Sequence, residues 1–337
     1  MSMIRTWAAP AAGQPLEPRE FRPGPLAAHE VEIAVEHCGI CHSDLSVLHN
    51  HWGNGQYPCV PGHEVIGRVI ARGEQARGLA LGQRVGLGWT AGSCNHCQSC
   101  VAGDQHLCGQ VQPTIVGHHG GFAERVRADA TWVFPLPDGL DPAAAAPLLC
   151  GGITVFSPLL SHARPDMRVG VVGIGGLGHM ALKFAAAWGC EVTAFTSTPA
   201  KADEARAFGA SRIVPSRDPK AMRAIAGSLD LVIYTLNVAV DWNALMATLA
   251  PRGRLHIVGA VLDPVPLNLM SMLVQEQQVS ASPTGSPAAI ATMLDFAARH
   301  RITPQVERYP MSRANEALAR LAAGQARYRI VLDADFR

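Results

Sequence analysis

Residues 168–178 read RVGVVGIGGLG, and residues 179–188 continue as HMALKFAAAW. An apolar stretch suited to a strand (168–173) runs into Gly173-Ile174-Gly175-Gly176-Leu177-Gly178, and a helical run (176–188) follows. The spacing G-x-G-x-x-G between a strand and a helix is a dinucleotide-binding pattern with a physical reason for each glycine. Gly173 permits a tight turn, Gly175 lets the backbone approach a pyrophosphate, and Gly178 lets helix and strand pack closely. The helix N-terminus adds free N–H groups and a partial positive charge for the phosphates. On the C-terminal side, strand and helix patterns alternate. Strands are expected at 191–195, 212–214, 229–234 and 254–261. Helices are expected at 201–208, near 221–226 and at 243–249. Such alternation predicts an α/β doubly wound parallel sheet.

The end of the second strand addresses the choice of dinucleotide. An acid there, some twenty residues past the glycines, would hold the ribose 2′-hydroxyl of NAD. Here the chain reads Phe195-Thr196-Ser197-Thr198-Pro199-Ala200-Lys201, with no carboxylate. Hydroxyls and an ammonium suit a 2′-phosphate, which an acid would repel. NADPH/NADP+ is the expected cofactor, the alternative being that Lys201 is a solvated helix residue.

The flanking regions differ in character. Up to about residue 147 the chain reads as β-rich, with short apolar runs at 31–35, 65–71 and 84–88 broken by Gly and Pro. Residues 143–160 carry no charge and imitate a membrane span, but they contain Pro147, Gly151, Gly152 and Pro158 and owe their hydrophobicity mostly to alanine. They read as a buried crossing between two domains. Beyond about residue 282, helices at 288–300 and 312–323 precede a last strand at 328–332. The chain has 337 residues, 48% hydrophobic and 16% charged, with a net charge of +1. That composition suits a folded chain of about two domains. It offers no basic excess for a nucleic acid, and the N-terminus lacks the apolar stretch of a signal peptide. No membrane partner is expected.

Nine cysteines are present: Cys38, Cys41, Cys59, Cys94, Cys97, Cys100, Cys108, Cys150 and Cys190. An odd number with four crowded together suits metal binding in a reducing cytoplasm better than a disulfide framework. Cys94-x2-Cys97-x2-Cys100-x7-Cys108 supplies four thiolates, enough to close a tetrahedral shell and mark a structural zinc. His96 and His106 are then bystanders. Cys41-His42-Ser43-Asp44 and Gly62-His63-Glu64 are weaker signals alone, because a single buried Cys or His is usually a core residue. Cys41, His63 and a third sulfur, with Cys150 the candidate, would leave a fourth position free on a catalytic metal.

These motifs in this order, with Pro147-Leu148-Leu149-Cys150 between them, resemble the zinc-containing medium-chain alcohol dehydrogenases. Within that family they resemble the cinnamyl-alcohol-dehydrogenase branch and its bacterial broad-range NADPH-dependent aldehyde reductases. The likeness spans essentially the whole chain. It implies a GroES-like β-rich catalytic domain over 1–150, with a structural zinc lobe at about 92–110. A Rossmann NADP-binding domain over 151–283 and a return to the catalytic domain over 284–337 complete it, with the active cleft between the two. It implies a catalytic zinc on Cys41, His63 and Cys150, and Glu64 as a carboxylate able to approach the metal. Asp44 would orient the ligand imidazole, and Ser43 would hydrogen-bond the substrate oxygen. Thr154 would pack on the nicotinamide, His42 and Arg329 would touch the pyrophosphate, and Val258 belongs with the cofactor-binding set. Trp89 would wall the substrate pocket, plain core packing being its alternative. Plant members carry a histidine three residues after the Ser43 position and an acid near position 51. This chain has Ser46 and His51, so His51 is a candidate proton relay or a surface histidine. The implied reaction is reversible reduction of a small aldehyde to a primary alcohol, by a homodimer or homotetramer. The apolar strand 255–261 and the segment after it are the expected subunit contact, and the cysteine usage points to the cytoplasm. An NAD-linked alcohol dehydrogenase working toward oxidation and a non-catalytic zinc- and nucleotide-binding redox sensor are the alternatives.

Overall fold

The computed structural model describes residues 3–336. The chain divides into two compact units: residues up to Ile153 with those from Thr284 onward, and Thr154–Pro283 between them.

The inner unit is a six-stranded parallel sheet. Its spatial order is Arg212–Pro215, Glu191–Thr196, Arg168–Val172, Leu229–Tyr234, Leu249–Ile257 and Gln278–Ala281. In chain order that is 3-2-1-4-5-6, the doubly wound arrangement in which the strand order reverses beside the first strand. The two central strands are mostly apolar because helices cover both faces of such a sheet, their one charged pair, Arg168 and Asp230, lying near the strand starts. Val169, Val171, Val232 and Ile233 are all sealed from solvent. The first strand ends in the glycine turn, and the helix Gly178–Trp188 leaves from it.

Two elements of this unit differ most from the sequence pattern. The helix expected at 243–249 is Trp242–Met246, and the strand expected at 254–261 is Leu249–Ile257. The helix stops early because the Thr248 carbonyl accepts the Ser228 and Leu229 amides instead of a helical partner. The strand starts early because Pro251, Arg252 and Gly253 are absorbed in a bulge. The register shifts there, and Arg252 adopts φ 63°. The strand Gln278–Ala281 and the short helix Leu269–Gln275 have no expectation in the sequence pattern.

The outer unit is built on a seven-stranded, mainly antiparallel sheet. Its backbone is Glu30–Ile40, which pairs with Val65–Arg72, Arg125–Asp129 and the late strand Arg329–Asp333. That last pairing returns the C-terminal segment to the N-terminal sheet. Val306–Pro310 pairs with Arg329–Asp333 in parallel and was not foreseen. Residues 143–160 form Pro142–Ala145, a 3-10 turn Ala146–Leu149, and most of the helix Gly151–His162. Asp141 caps the first of these from its side chain, and every residue from Ala143 to Phe156 is buried. Among the described residues no single helix is long and apolar enough to cross a membrane; these segments pass that test only as a pair bent by 59°.

Candidate active site and cofactor loop

Three segments distant in sequence converge in the outer unit. Cys41 follows the long strand Glu30–Ile40 and caps the helix His42–Leu48. His63 follows Gly62, whose φ of +97° and whose contacts with Phe122 and Cys38 leave no room for a Cβ. Cys150 sits at the end of the turn Ala146–Leu149. Ligand atoms of Cys41, His63, Glu64 and Cys150 all lie within 4.8 Å of one another, and all four residues are buried.

Asp44 organises the group. It is fully buried, and its Oδ1 accepts His63 Nδ1 at 3.0 Å and the Gly62 amide at 2.8 Å. Its Oδ2 accepts the Cys41 amide at 2.8 Å. A carboxylate only accepts, so the His63 proton sits on Nδ1 and the Nε2 lone pair faces inward. Among the described residues that Nε2 has no hydrogen-bond partner, nor has Glu64 Oε2. A buried imidazole nitrogen without a partner costs free energy unless something fills the gap. The sulfurs of Cys41 and Cys150 stand 3.9 Å apart, far beyond a disulfide bond of about 2.0 Å. Ligands on a tetrahedral zinc with bonds of about 2.3 Å lie about 3.8 Å apart. The donor set and the orphaned nitrogen fit that ion.

Glu64 pairs with Arg329, and both are buried. Burial pushes the Glu64 carboxyl up to about 7 although the guanidinium pulls it down. Cys41 is held well below the ordinary thiol range, by the Cys150 hydrogen bond first and by His63 and Arg329 with it. Ser43 Oγ lies 3.6 Å from Cys41 Sγ. Trp89 meets the His63 ring edge-on at 5.0 Å, and Trp52 stands edge-on to Trp89 at 6.0 Å. Trp52 carried no motif; only the fold places it beside Trp89. His42 is exposed. So is His51, whose ring stacks on that of His49 at 5.4 Å. Among the described residues no hydrogen bond links the His51 ring to Ser43.

The second cluster is local. Cys94 and Cys108 sulfurs lie 3.5 Å apart, Cys94 and Cys100 3.8 Å, and Cys97 and Cys108 3.8 Å. The amides of Cys97 and Gln110 donate to Cys94 and Cys108. Backbone donors, that of His96 foremost, hold Cys94 down to about 6. Four sulfurs at tetrahedral spacing with amides aimed at them suit a closed zinc shell.

In the inner unit the glycine loop takes the expected form. Gly173 has φ +90°, and a Cβ on Gly178 would sit 1.8 Å from the Gly173 carbonyl oxygen. A Cβ on Gly175 would meet nothing within 4 Å. No neighbour among the described residues demands glycine there, which is what an approaching ligand would leave as its trace. Gly176 and Leu177 complete the turn. Lys201 Nζ donates to the Ile174 carbonyl at 2.7 Å, which places its ammonium against this loop. Thr196 is buried and bonds the Thr198 amide, while Ser197 and Thr198 are exposed. Thr154 donates to the Pro283 carbonyl, and the Val258 amide donates to Tyr234.

A six-stranded dinucleotide sheet in one unit and a buried Cys-His-Cys group in the other define a class, the metal-dependent nicotinamide dehydrogenases. The chain belongs to the zinc-containing medium-chain alcohol dehydrogenase family. Residues 27–138 match the alcohol dehydrogenase GroES-like domain, and residues 176–299 match the zinc-binding dehydrogenase domain. An aldehyde reductase, AdhA, of Synechocystis sp. is 52% identical over 98% of both chains. A cinnamyl alcohol dehydrogenase structure from Sorghum bicolor superposes with a TM-score of 0.94 at 38% identity, over 98% of each chain. A structure of CAD from Helicobacter pylori, complexed with NADP(H), gives 0.90 at 29% identity, again over 98% of each. As a member of this family the chain is an oxidoreductase that uses zinc and a nicotinamide cofactor.

Proposed function

We propose that this protein is an aldehyde reductase that passes a hydride from NADPH to a small aldehyde, reversibly, with one catalytic and one structural zinc per subunit. The observation that carries the reading is the unpartnered, buried His63 Nε2 facing two thiols 3.9 Å apart. Cys41, His63 and Cys150 would hold the catalytic ion, and Cys94, Cys97, Cys100 and Cys108 the structural one. Zinc at the first place would draw charge from a carbonyl oxygen and stabilise the negative charge that develops there. NADPH supplies the hydride. Asp44 keeps the His63 proton on Nδ1, and Ser43, beside Cys41, gives the proton to the product oxygen. Arg329 neutralises Glu64, so this second acid adds no net charge beside the two thiolates. Trp89, with Trp52 behind it, limits the substrate's width.

For the cofactor, the glycine loop takes the pyrophosphate, and Thr196, Ser197, Thr198 and Lys201 take the 2′-phosphate. The lack of an acid after the strand Glu191–Thr196 supports NADPH over NADH. So does the H. pylori structure, which is a complex with NADP(H). His42, Thr154, Val258 and Arg329 complete the cofactor set on the family resemblance. The catalytic unit is assigned to 1–150 and 284–337, and the cofactor unit to 151–283. Nine cysteines, none of them in a disulfide, suit the cytoplasm. The exposed Leu262, Leu269, Met270, Leu273 and Val274 supply an apolar face for a homo-oligomer contact.

Steady-state rates of aldehyde-dependent oxidation of NADPH and NADH test the proposal. The expected result is a clear NADPH preference and loss of turnover after zinc chelation. Equal rates with both cofactors would overturn the NADPH assignment, and chelation without effect would overturn the zinc mechanism.

A further inference from the structure

Four successive carbonyls of the glycine loop are each held by a side chain from outside residues 172–175. The Thr235 hydroxyl lies 2.9 Å from both the Val172 and the Gly173 carbonyl oxygens and shares its one proton between them. Lys201 Nζ donates to Ile174 at 2.7 Å. His179 Nδ1 lies 3.0 Å from the Gly175 carbonyl. A carbonyl only accepts, so Nδ1 carries the proton. The imidazole is fully buried and meets Phe208 edge-on at 5.6 Å. Thr235 is fixed in turn by its own amide, which donates to Val172 at 3.1 Å.

The peptide unit is planar and trans, so its C=O and the next residue's N–H point in opposite directions. Holding the carbonyls of Gly173, Ile174 and Gly175 therefore sets the direction of the amides of Ile174, Gly175 and Gly176. Those amides, with that of Leu177, have no acceptor among the described residues. The loop has its acceptors tied back to the protein and its donors turned away, and Gly175 borders open space.

We propose that Thr235, Lys201 and His179 are positioning residues that clamp the glycine loop so that its amides are aimed at the pyrophosphate before the dinucleotide arrives. The proposal rests on the reading of this loop as the pyrophosphate seat and extends it to residues outside the glycine motif. Preorganised donors avoid an ordering cost on binding, so the clamp acts on NADH and NADPH alike. Lys201 then has two roles. An ammonium has three donors, so it can keep Ile174 and still face a 2′-phosphate.

The test uses the zinc-loaded enzyme, with dissociation constants for NADPH, NADH, ADP-ribose and AMP from calorimetry and steady-state KM and kcat for NADPH. Thr235→Val removes the hydroxyl at nearly constant volume; Thr235→Ser keeps it. One lost hydrogen bond corresponds to about 3–10-fold in affinity. Thr235→Val is expected to weaken NADPH, NADH and ADP-ribose by that same factor, to raise KM with kcat unchanged, and to leave AMP unaffected. Thr235→Ser should restore wild-type binding. Lys201→Met should weaken both dinucleotides, NADPH more. Thr235→Val binding all ligands as the wild type does would overturn the clamp, and so would a valine effect that serine fails to rescue. A loss confined to NADPH would move Thr235 to the 2′-phosphate and also overturn it. Wild-type enzyme binding ADP-ribose no better than AMP would overturn the pyrophosphate seat itself, and the clamp with it. Wild-type enzyme without NADPH preference would overturn the cofactor assignment alone and leave the clamp standing.

Discussion

Two cysteine clusters lie in the same unit and are built in opposite ways. The lobe at Cys94, Cys97, Cys100 and Cys108 takes all four donors from one short segment, and two of its residues are half-exposed. The cluster at Cys41, His63 and Cys150 draws its donors from three segments and is wholly buried. In the lobe each donor is a sulfur, and backbone amides support Cys94 and Cys108. In the buried cluster the support is ionic: Asp44 sets the imidazole, and Arg329 neutralises the extra acid Glu64. Four equal donors complete a shell and leave nothing for a substrate. Three donors with a charge-balanced carboxylate beside them leave a corner free. On the proposed reading, the difference gives stability to one cluster and chemistry to the other.

The sharpest way to break that contrast is Cys150→Ser. If the buried cluster is the reactive one, turnover should fall by about 10³-fold or more, the scale on which a lost electrostatic contribution acts in an active site. Zinc content should drop by one per subunit, with NADPH affinity retained. Retained activity with both metals in place would remove Cys150 from the chemistry. Cys97→Ser is the matching change in the lobe. It should also remove one zinc, but lower the melting temperature by several degrees while kcat per active molecule stays near the wild type. A kcat collapse with an intact fold would erase the division of labour.

How legible each cluster was follows from the same contrast. The lobe could be read directly, because its donors are neighbours in the chain and their spacing is itself the signal. The glycine loop could be read for the same reason, and its three glycines have the separate causes expected of them: a left-handed φ at Gly173, open space at Gly175, and a close carbonyl at Gly178. The buried cluster could not be read from spacing. Nothing near Cys150 in the sequence says that a 3-10 turn will deliver its sulfur to Cys41, so the residues alone make it a candidate and the family resemblance is what implies the full ligand set. Trp52 and Thr235 were invisible because their roles exist only in contact with Trp89 and with the loop carbonyls. In the fold, the apolar parallel strands stood out from periodicity. The strand Gln278–Ala281 did not, being four residues of mixed polarity at the sheet edge. The expected strand begins five residues late, at 254 instead of Leu249, because a bulge, which no local pattern announces, carries Pro251 and Gly253 inside the strand.

A gentler change probes the ionic support. In Asp44→Asn the side chain keeps its shape but loses the charge that favours His63 as a donor from Nδ1. Replacing such an orienting carboxylate typically costs 10–100-fold in metal affinity or activity. Zinc affinity of the buried cluster should fall on that scale, with the lobe zinc unchanged. Equal loss from both clusters would mean that the substitution loosens the whole unit. Unaltered affinity would mean that Asp44 serves the Cys41 and Gly62 amides alone.

The smallest expected effect lies at the edge of the lobe. Asn95 adopts φ +60°, a left-handed conformation that asparagine tolerates better than most residues. Its amide donates to Asp129 at 3.0 Å and its carbonyl accepts the Ser93 hydroxyl at 2.8 Å, which in turn accepts the Trp132 indole N–H at 3.0 Å. This chain of bonds ties the first turn of the lobe to the strand Arg125–Asp129. Asn95→Ala removes the bonds and keeps a Cβ in a conformation that disfavours it. The expected cost is about 1 kcal/mol, read as a small drop in melting temperature and as faster zinc release from the lobe to a chelator. Asn95→Gly loses the same bonds without the strain, so the gap between the two variants isolates the backbone contribution. If both release zinc at the wild-type rate, the four sulfurs and their own amides hold the lobe unaided, and the contrast between a self-contained cluster and one that depends on its surroundings becomes sharper still.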